Sequence, residues 1–231
     1  MLEIDADGWL AGVSRLPSPN CDRRPHGEVS LLVIHNISLP PGEFGGDAVQ
    51  QLFLNRLDPK AHPAFAELEG LRVSAHLFID RNGALTQFVP CAARAWHAGR
   101  SRYAGRPNCN DFAIGIELEG TDGSGYETVQ MAVLARLCRA LLDHYPALAT
   151  QRIVGHSDVA PGRKTDPGPG FDWQWLHALL RGETLQGHGL RGHRPQEQGL
   201  QEQGPQEQGL QEQGLQEQGL QEQGLQGDPA P

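Results

Sequence analysis

The sequence predicts an α/β fold: a single domain with a central mixed β-sheet flanked by helices. Three observations lead there. The apolar, β-branched run at 30–38 has the pattern of a buried central strand, and 112–120 reads as a second strand. Two alternating stretches within 74–89 flank Asn82-Gly83, a hairpin signal. Helical segments at 127–146 and 171–182 interleave with the strands.

Taken in order, "SLLVIHNIS" (30–38) ends in His35 and Asn36, so polar groups emerge where the strand leaves the core. Residues 40–65 form a long irregular connection with a short helical piece at about 46–54; long ordered loops are usually functional. Asn82-Gly83 predicts a type I′ turn. "FAIGIELEG" (112–120) carries Glu117 and Glu119. In 127–146, Val129, Val133, Leu137 and Leu141 recur at spacings of four, and Pro146 ends the helix. "QRIVGHSDV" (151–159) predicts a short strand that leads into "GHSDVAPGRKTDPGP" (155–169). Prolines and glycines exclude a helix there, and charges exclude a buried strand. The segment reads as a rigid loop gathering one His, two Asp, an Arg and a Lys. Asp172 stands where the last helix needs its N-cap.

Composition divides the chain at about residue 184. From Pro195 to Gly224 run six copies of the pentapeptide [Pro/Leu]-Gln-Glu-Gln-Gly. A Gly every fifth residue weakens a helix, and a single Leu per copy buries too little to offset ordering entropy. Residues 184–231 are therefore expected to be a disordered low-complexity tail, and 1–183 the folded domain. Residues 195–231 hold six Glu, one Asp and no Lys or Arg, so they account for −7 of the net charge of −9. The nearly neutral body has no basic stripe for nucleic acid. No apolar run approaches the ~20 residues of a membrane span, and the acidic N-terminus lacks a signal-peptide pattern. Four cysteines without CxxC spacing suggest free thiols in a reducing compartment. A cytoplasmic protein is expected, with no nucleic-acid or membrane partner.

His35, His156 and Asp166 each sit at a strand end or just beyond one, where side chains of different strands converge at a sheet rim. Two imidazoles and a carboxylate are ligands that Zn²⁺ accepts, and three protein ligands leave the open position of a catalytic site. With ten His in the chain, spacing alone favours ordinary hydrogen-bonded roles, and His-x9-Asp is no sharp metal signature.

"VIHNISLPPGEFGG", "VSAHLFI", "RAWHAG", "CNDFAIGIELEGTD" and "GHSDVAPGRKTDPGPGFDW" occur in that order between about Gly8 and Trp173. Together they resemble the motif set of the zinc-dependent N-acetylmuramoyl-L-alanine amidase family, whose fold is shared with a phage lysozyme and the peptidoglycan recognition proteins. The resemblance implies Zn²⁺ at the sheet rim, held by His35, His156 and Asp166, in a domain spanning 1–183. It implies Glu117 as the acid/base and Lys164 as the oxyanion-stabilising cation. Asn36, Arg72, Trp96, His97 and Arg163 fall in or beside the motifs and are candidate substrate contacts; His76 reads as a supporting or packing residue. The implied substrate is a small muropeptide, cleaved between (1,6-anhydro-)N-acetylmuramic acid and L-alanine by a monomer in cytoplasmic peptidoglycan recycling. An indirect effect on β-lactamase regulation through muropeptide levels would follow.

Two departures stand out. Relatives with a "DCPG" loop have Cys where this chain has Asp166. Close relatives have Arg where it has Asn108, with Arg106 two residues earlier, which puts one peptide-carboxylate contact in question. Two rival readings are a non-catalytic peptidoglycan-binding module, which typically lacks a zinc ligand, and a periplasmic amidase, which needs an export signal.

Overall fold

The structure, a computed structural model, describes residues 2–183; the tail expected at 184–231 lies outside the described residues. Along the chain run β1 (Ser14–Arg15), β2 (Cys21–Arg23), β3 (Leu31–Ile37), α1 (Ala48–Phe53), β4 (Leu77–Ile79), β5 (Leu85–Gln87) and β6 (Ala93–Ala95). There follow β7 (Arg102–Tyr103), β8 (Arg106–Pro107), β9 (Ala113–Glu119), α2 (Thr128–His144), β10 (Ile153–Gly155), α3 (His156–Val159) and α4 (Trp173–Leu180). One mixed sheet has the order β1-β5-β4-β9-β3-β10; β4 and β5 are antiparallel, and every other neighbour is parallel. β2 with β6, and β7 with β8, make two small antiparallel ladders.

The two longest strands define two unlike faces. Leu32, Ile34, Ile114, Ile116 and Leu118 pack with Leu134, Leu137, Leu141 and Leu176 on the side of α2 and α4. Leu31, Val33 and Ala113 alternate to the other side, where Phe112 and Val159 cover them. That second face carries His35 and Glu117, because strand side chains alternate with period two.

α2 ends at His144, just before Pro146, and its start is fixed by a capping box between Glu127 and Gln130. The buried stripe includes Met131, Leu134, Leu137, Cys138 and Leu141, whereas Val129 is 44% exposed. The expected spacing-of-four stripe thus starts off the buried face, since four residues overshoot one 3.6-residue turn and drift by about 40° each step. Gln130 secures the helix to the sheet by donating to the carbonyls of Ile79 (3.3 Å) and Glu119 (3.0 Å). At α4, Asp172 caps as expected, accepting from the Trp175 N–H at 2.8 Å.

Two expectations need correcting. The hairpin turn is not type I′: Gly83 has φ +78° but Asn82 is not left-handed, and the Gly83 N–H donates to the Asp80 carbonyl at 2.9 Å. This is a tight turn closed by a left-handed Gly, in which Asp80 Oδ1 accepts from the N–H groups of Asn82 and Ala84. The strand expected at 151–159 is only Ile153–Gly155, and residues 156–159 form one helical turn, although 155–169 reads as excluding a helix. Apart from Gly155, which stands at the N-cap of the turn, the prolines and glycines of the segment all lie from Pro161 onward. Before them, Asp158 accepts from the Gly155 N–H at 2.7 Å and caps the turn. α1 covers six residues of the expected helical piece and buries Val49, Leu52 and Phe53. All four cysteines are free thiols, and no helix among the described residues is long and apolar enough to cross a membrane.

The loop that follows α3 leans on the 121–126 segment. Gly168 has φ +73°, and a Cβ there would lie 2.3 Å from Asp122 Cα; Gly162 has φ +75° but open space around it. Gly162→Ala should therefore cost only the left-handed strain, about 1–2 kcal/mol. Gly168→Ala adds a backbone clash, so it should cost about 1–3 kcal/mol more. Thermal unfolding of the two variants checks the order, and equal losses would contradict this packing.

Candidate metal centre and active site

β3 and β9 are parallel and in register, which pairs His35 with Glu117 on the same face. β10 pairs with β3 up to Gly155↔Ile34, so His156 follows directly beside His35. The chain then turns through Pro161–Gly162 and returns, and the Asp166 carbonyl accepts from the Ser157 N–H at 3.0 Å. Gly155 permits that return, because a Cβ there would lie 2.8 Å from Pro167 Cδ.

Three atoms converge. His35 Nδ1 lies 3.0 Å from His156 Nδ1, and each lies 3.1 Å from Asp166 Oδ2. Both histidines are buried, and Asp166 is partly so. His156 Nε2 is 3.2 Å from the Ala98 carbonyl and can only donate to it, which leaves Nδ1 with its lone pair turned to the cluster. His35 Nε2 lies 2.9 Å from His97 Nδ1. Burial, with His156 adding to it, lowers the pKa of His35 to about 4, so its imidazole is neutral at pH 7. Two imidazoles and a carboxylate with their donor atoms clustered have the chemistry of a divalent metal site. Bond lengths of about 2.0–2.1 Å place tetrahedral donors a little over 3 Å apart, and the observed spacing fits.

Glu117 is 8% exposed, and its Oε2 is buried without a hydrogen-bond partner. Burial pushes its pKa well above the carboxylate range, the charge of Asp166 adds to that, and Lys164 opposes it. The Lys164 charge also helps to lower the pKa of His35. Glu119, two residues on, differs in kind: its carboxylate accepts from the Gly45 N–H and from the Arg81 N–H at 2.9 Å. It ties down two loops.

The other sequence candidates are placed differently. Asn36 alternates to the face away from His35 and donates to Asp122 Oδ1 at 2.9 Å. Arg163 donates to the carbonyls of Ala98 (2.6 Å) and Arg100 (2.9 Å). His97 packs on Gly115, where a Cβ would lie 2.4 Å from its Cγ, and stands behind His35. Trp96 is half-buried, its backbone N–H donating to Ser74 Oγ at 3.1 Å, and Arg72 is exposed. His76 is buried, its Nδ1 accepting from the Gly115 N–H at 3.0 Å. Near Asn108, Arg106 is paired with Glu28 at 2.8 Å and lies over the Phe112 ring. Sequence reasoning missed the Ala98 carbonyl, which carries no residue-type signal, and the Tyr126 hydroxyl, which donates to the Pro167 carbonyl at 3.0 Å beside Asp166.

Comparison with known proteins agrees with this geometry. Residues 25–169 match the family model described as N-acetylmuramoyl-L-alanine amidase. The chain is 57% identical over 178 residues to the 1,6-anhydro-N-acetylmuramyl-L-alanine amidase AmpD of Escherichia coli, covering 77% of this chain and 97% of that protein. AmpD of Haemophilus influenzae is 51% identical over 168 residues, covering 72% and 91% respectively. A crystal structure of a selenomethionine derivative of AmpD superposes with a TM-score of 0.75 at 54% identity, covering 78% of this chain and 99% of that one. The solution structure of Citrobacter freundii AmpD gives 0.57 at 51% identity, covering 81% and 100%. With a model match over more than half its length and relatives this similar, the chain belongs to the N-acetylmuramoyl-L-alanine amidase family.

Proposed function

We propose that the protein is a zinc-dependent amidase that cleaves the bond between (1,6-anhydro-)N-acetylmuramic acid and the L-alanine of its stem peptide. The reaction belongs to peptidoglycan recycling, with a small muropeptide as substrate and a cytoplasmic monomer as the working form. The similarity to AmpD over nearly the whole of that protein supports the substrate. The observation that carries the chemistry is the three-donor cluster set beside a buried, unpartnered carboxyl oxygen on the neighbouring strand.

His35, His156 and Asp166 would hold the zinc through Nδ1, Nδ1 and Oδ2. When bound, zinc supplies Lewis acidity at the scissile carbonyl and lowers the pKa of an attacking water. Glu117 takes the proton of that water at its carboxylate and delivers it to the departing alanine nitrogen. Its Oε2 has no hydrogen-bond partner, which leaves that oxygen free for this transfer. The Lys164 ammonium stabilises the oxyanion that forms on the former carbonyl oxygen. Arg72, which is exposed, and Asn36, Trp96, His97 and Arg163, each half-buried, are the candidates for sugar or peptide contacts; Asn36, His97 and Arg163 also support the site through the partners described above.

Mass spectrometry of the products from a 1,6-anhydromuropeptide should show free anhydro-N-acetylmuramic acid and the intact peptide, and a chelator should abolish both. His35→Ala should lose zinc and activity together; one equivalent of zinc retained with full turnover would refute the ligand assignment.

Glu117→Ala should keep zinc and substrate binding but lower kcat by on the order of 10²–10⁴-fold. Lys164→Ala should lose a comparable factor, because oxyanion stabilisation acts mainly in the transition state. The acidic limb of the pH–rate profile should vanish only with Glu117→Ala, because Glu117 is the group that takes the proton. A limb that persists in the Glu117 variant places the base elsewhere.

Glu117 also predicts a stability effect in the metal-free protein. Its folded pKa is raised, so at a pH below its unfolded value, about 4.3, both states hold the proton and it costs nothing. As pH rises past that value the unfolded chain ionises first and stability falls. Glu117→Gln removes the titration, so the metal-free variant should melt several degrees above wild type at pH 8 and level with it at pH 4. Equal melting at both pH values would contradict the raised pKa.

A further inference from the structure

Both histidines of the cluster are held from behind by two consecutive residues. His156 Nε2 contacts the Ala98 carbonyl at 3.2 Å, and His35 Nε2 contacts His97 Nδ1 at 2.9 Å. His97 and Ala98 are consecutive, lie beyond the end of β6 and belong to no strand or helix. No ladder of the sheet fixes them.

A side chain does so instead. Asn110 Oδ1 accepts from the His97 N–H at 3.2 Å and from the Ala98 N–H at 2.8 Å. Both partners are donors, so the amide oxygen, not the nitrogen, must face them. Asn110 is itself anchored in the 3₁₀ turn Cys109–Asp111. Its carbonyl accepts from the buried Arg24 guanidinium at 3.0 Å. The Asp111 carboxylate accepts from Arg94 at 2.7 Å, and the Cys109 N–H donates to Ser101 Oγ at 3.0 Å. A clamped turn thus presents one acceptor to two successive amides, and those two residues hold the outer nitrogens of both rings.

We propose that Asn110 is a positioning residue for the metal centre: through a single oxygen it sets the orientation of His35 and of His156. The proposal rests on the metal-centre reading above. Outer partners of metal-bound histidines fix ring direction and tautomer, and losing one typically weakens metal binding 10–100-fold. Asn110 touches neither ring, so its effect passes entirely through His97 and Ala98. An acceptor at this position is what the geometry requires, so Asp can replace Asn where Ala and Leu cannot.

Zinc affinity of the full-length protein and of Asn110→Ala, Asn110→Leu and Asn110→Asp is measured by competition with a chromophoric chelator. Cooperative unfolding of each metal-free chain is recorded alongside. Ala and Leu should weaken zinc about 10–100-fold while unfolding stays cooperative, and Asp should return to within about threefold of wild type. Should the Ala variant not fold, the Leu variant, which fills a similar volume, carries the comparison. Wild-type affinity in Ala and Leu overturns the role of Asn110 and leaves the metal centre standing. Equal weakness in all three variants overturns it too, because the acceptor is then not what matters. A wild-type chain that binds no zinc overturns the metal centre and this proposal together.

Discussion

His35 Nδ1, His156 Nδ1 and Asp166 Oδ2 stand 3.0–3.1 Å apart in a largely buried place, and the architecture around them keeps them there. Lone pairs crowded this way repel unless a proton or a cation lies among them, so nothing in the cluster alone holds it closed. The restraints come from outside. β3 and β10 set the two histidines side by side through their parallel register, and the Ser157–Asp166 backbone bond returns the third donor to them. Tyr126 then holds the Pro167 carbonyl, and Gly168 and Gly170 sit against the 122–124 backbone where no side chain would fit. Removing any one of these loosens the donor that is least tied to the sheet, Asp166.

The sheet's two faces divide the work. The face toward α2 and α4 is mostly apolar, and its burial stabilises the fold. The opposite face places polar side chains among apolar neighbours, and their fates depend on available partners. Glu119 and Glu117 share that face and are both buried, yet Glu119 accepts two backbone N–H groups whereas Glu117 Oε2 accepts none. A satisfied carboxylate is held in place; an unsatisfied one is destabilising to the charged state and available for proton transfer. Reactivity here follows from what was left unpaired.

That contrast marks how far the residues could be read in advance. β3, β9, α2 and α4 announce themselves through β-branched runs, apolar periodicity and an N-cap. β1, β2, β6, β7 and β8 are two or three residues long, too short for any periodicity to appear, and tertiary pairing makes them. The helical turn that carries His156 depends on one Asp158 cap inside a segment dominated by prolines and glycines. Motif proximity suggested Asn36 as a substrate contact, and strand alternation sets it on the face opposite His35. The Ala98 carbonyl and the amide of Asn110 act through backbone, where residue type gives little sign.

Charge explains why this donor set suits the reaction. Two neutral imidazoles and one carboxylate leave a divalent ion with an excess of one positive charge, where a second anionic ligand would leave none. Lys164 would add to that excess and an ionised Glu117 would offset it. In the proposed reaction Glu117 would become neutral as it took up the proton of the attacking water, and the negative charge it gave up would pass to the attacking oxygen and then to the former carbonyl oxygen. Lys164 would meet that charge with Glu117 no longer competing for it. Burial favours the neutral form of Glu117, so the environment that makes this carboxylate costly at rest would also favour the proton uptake asked of it.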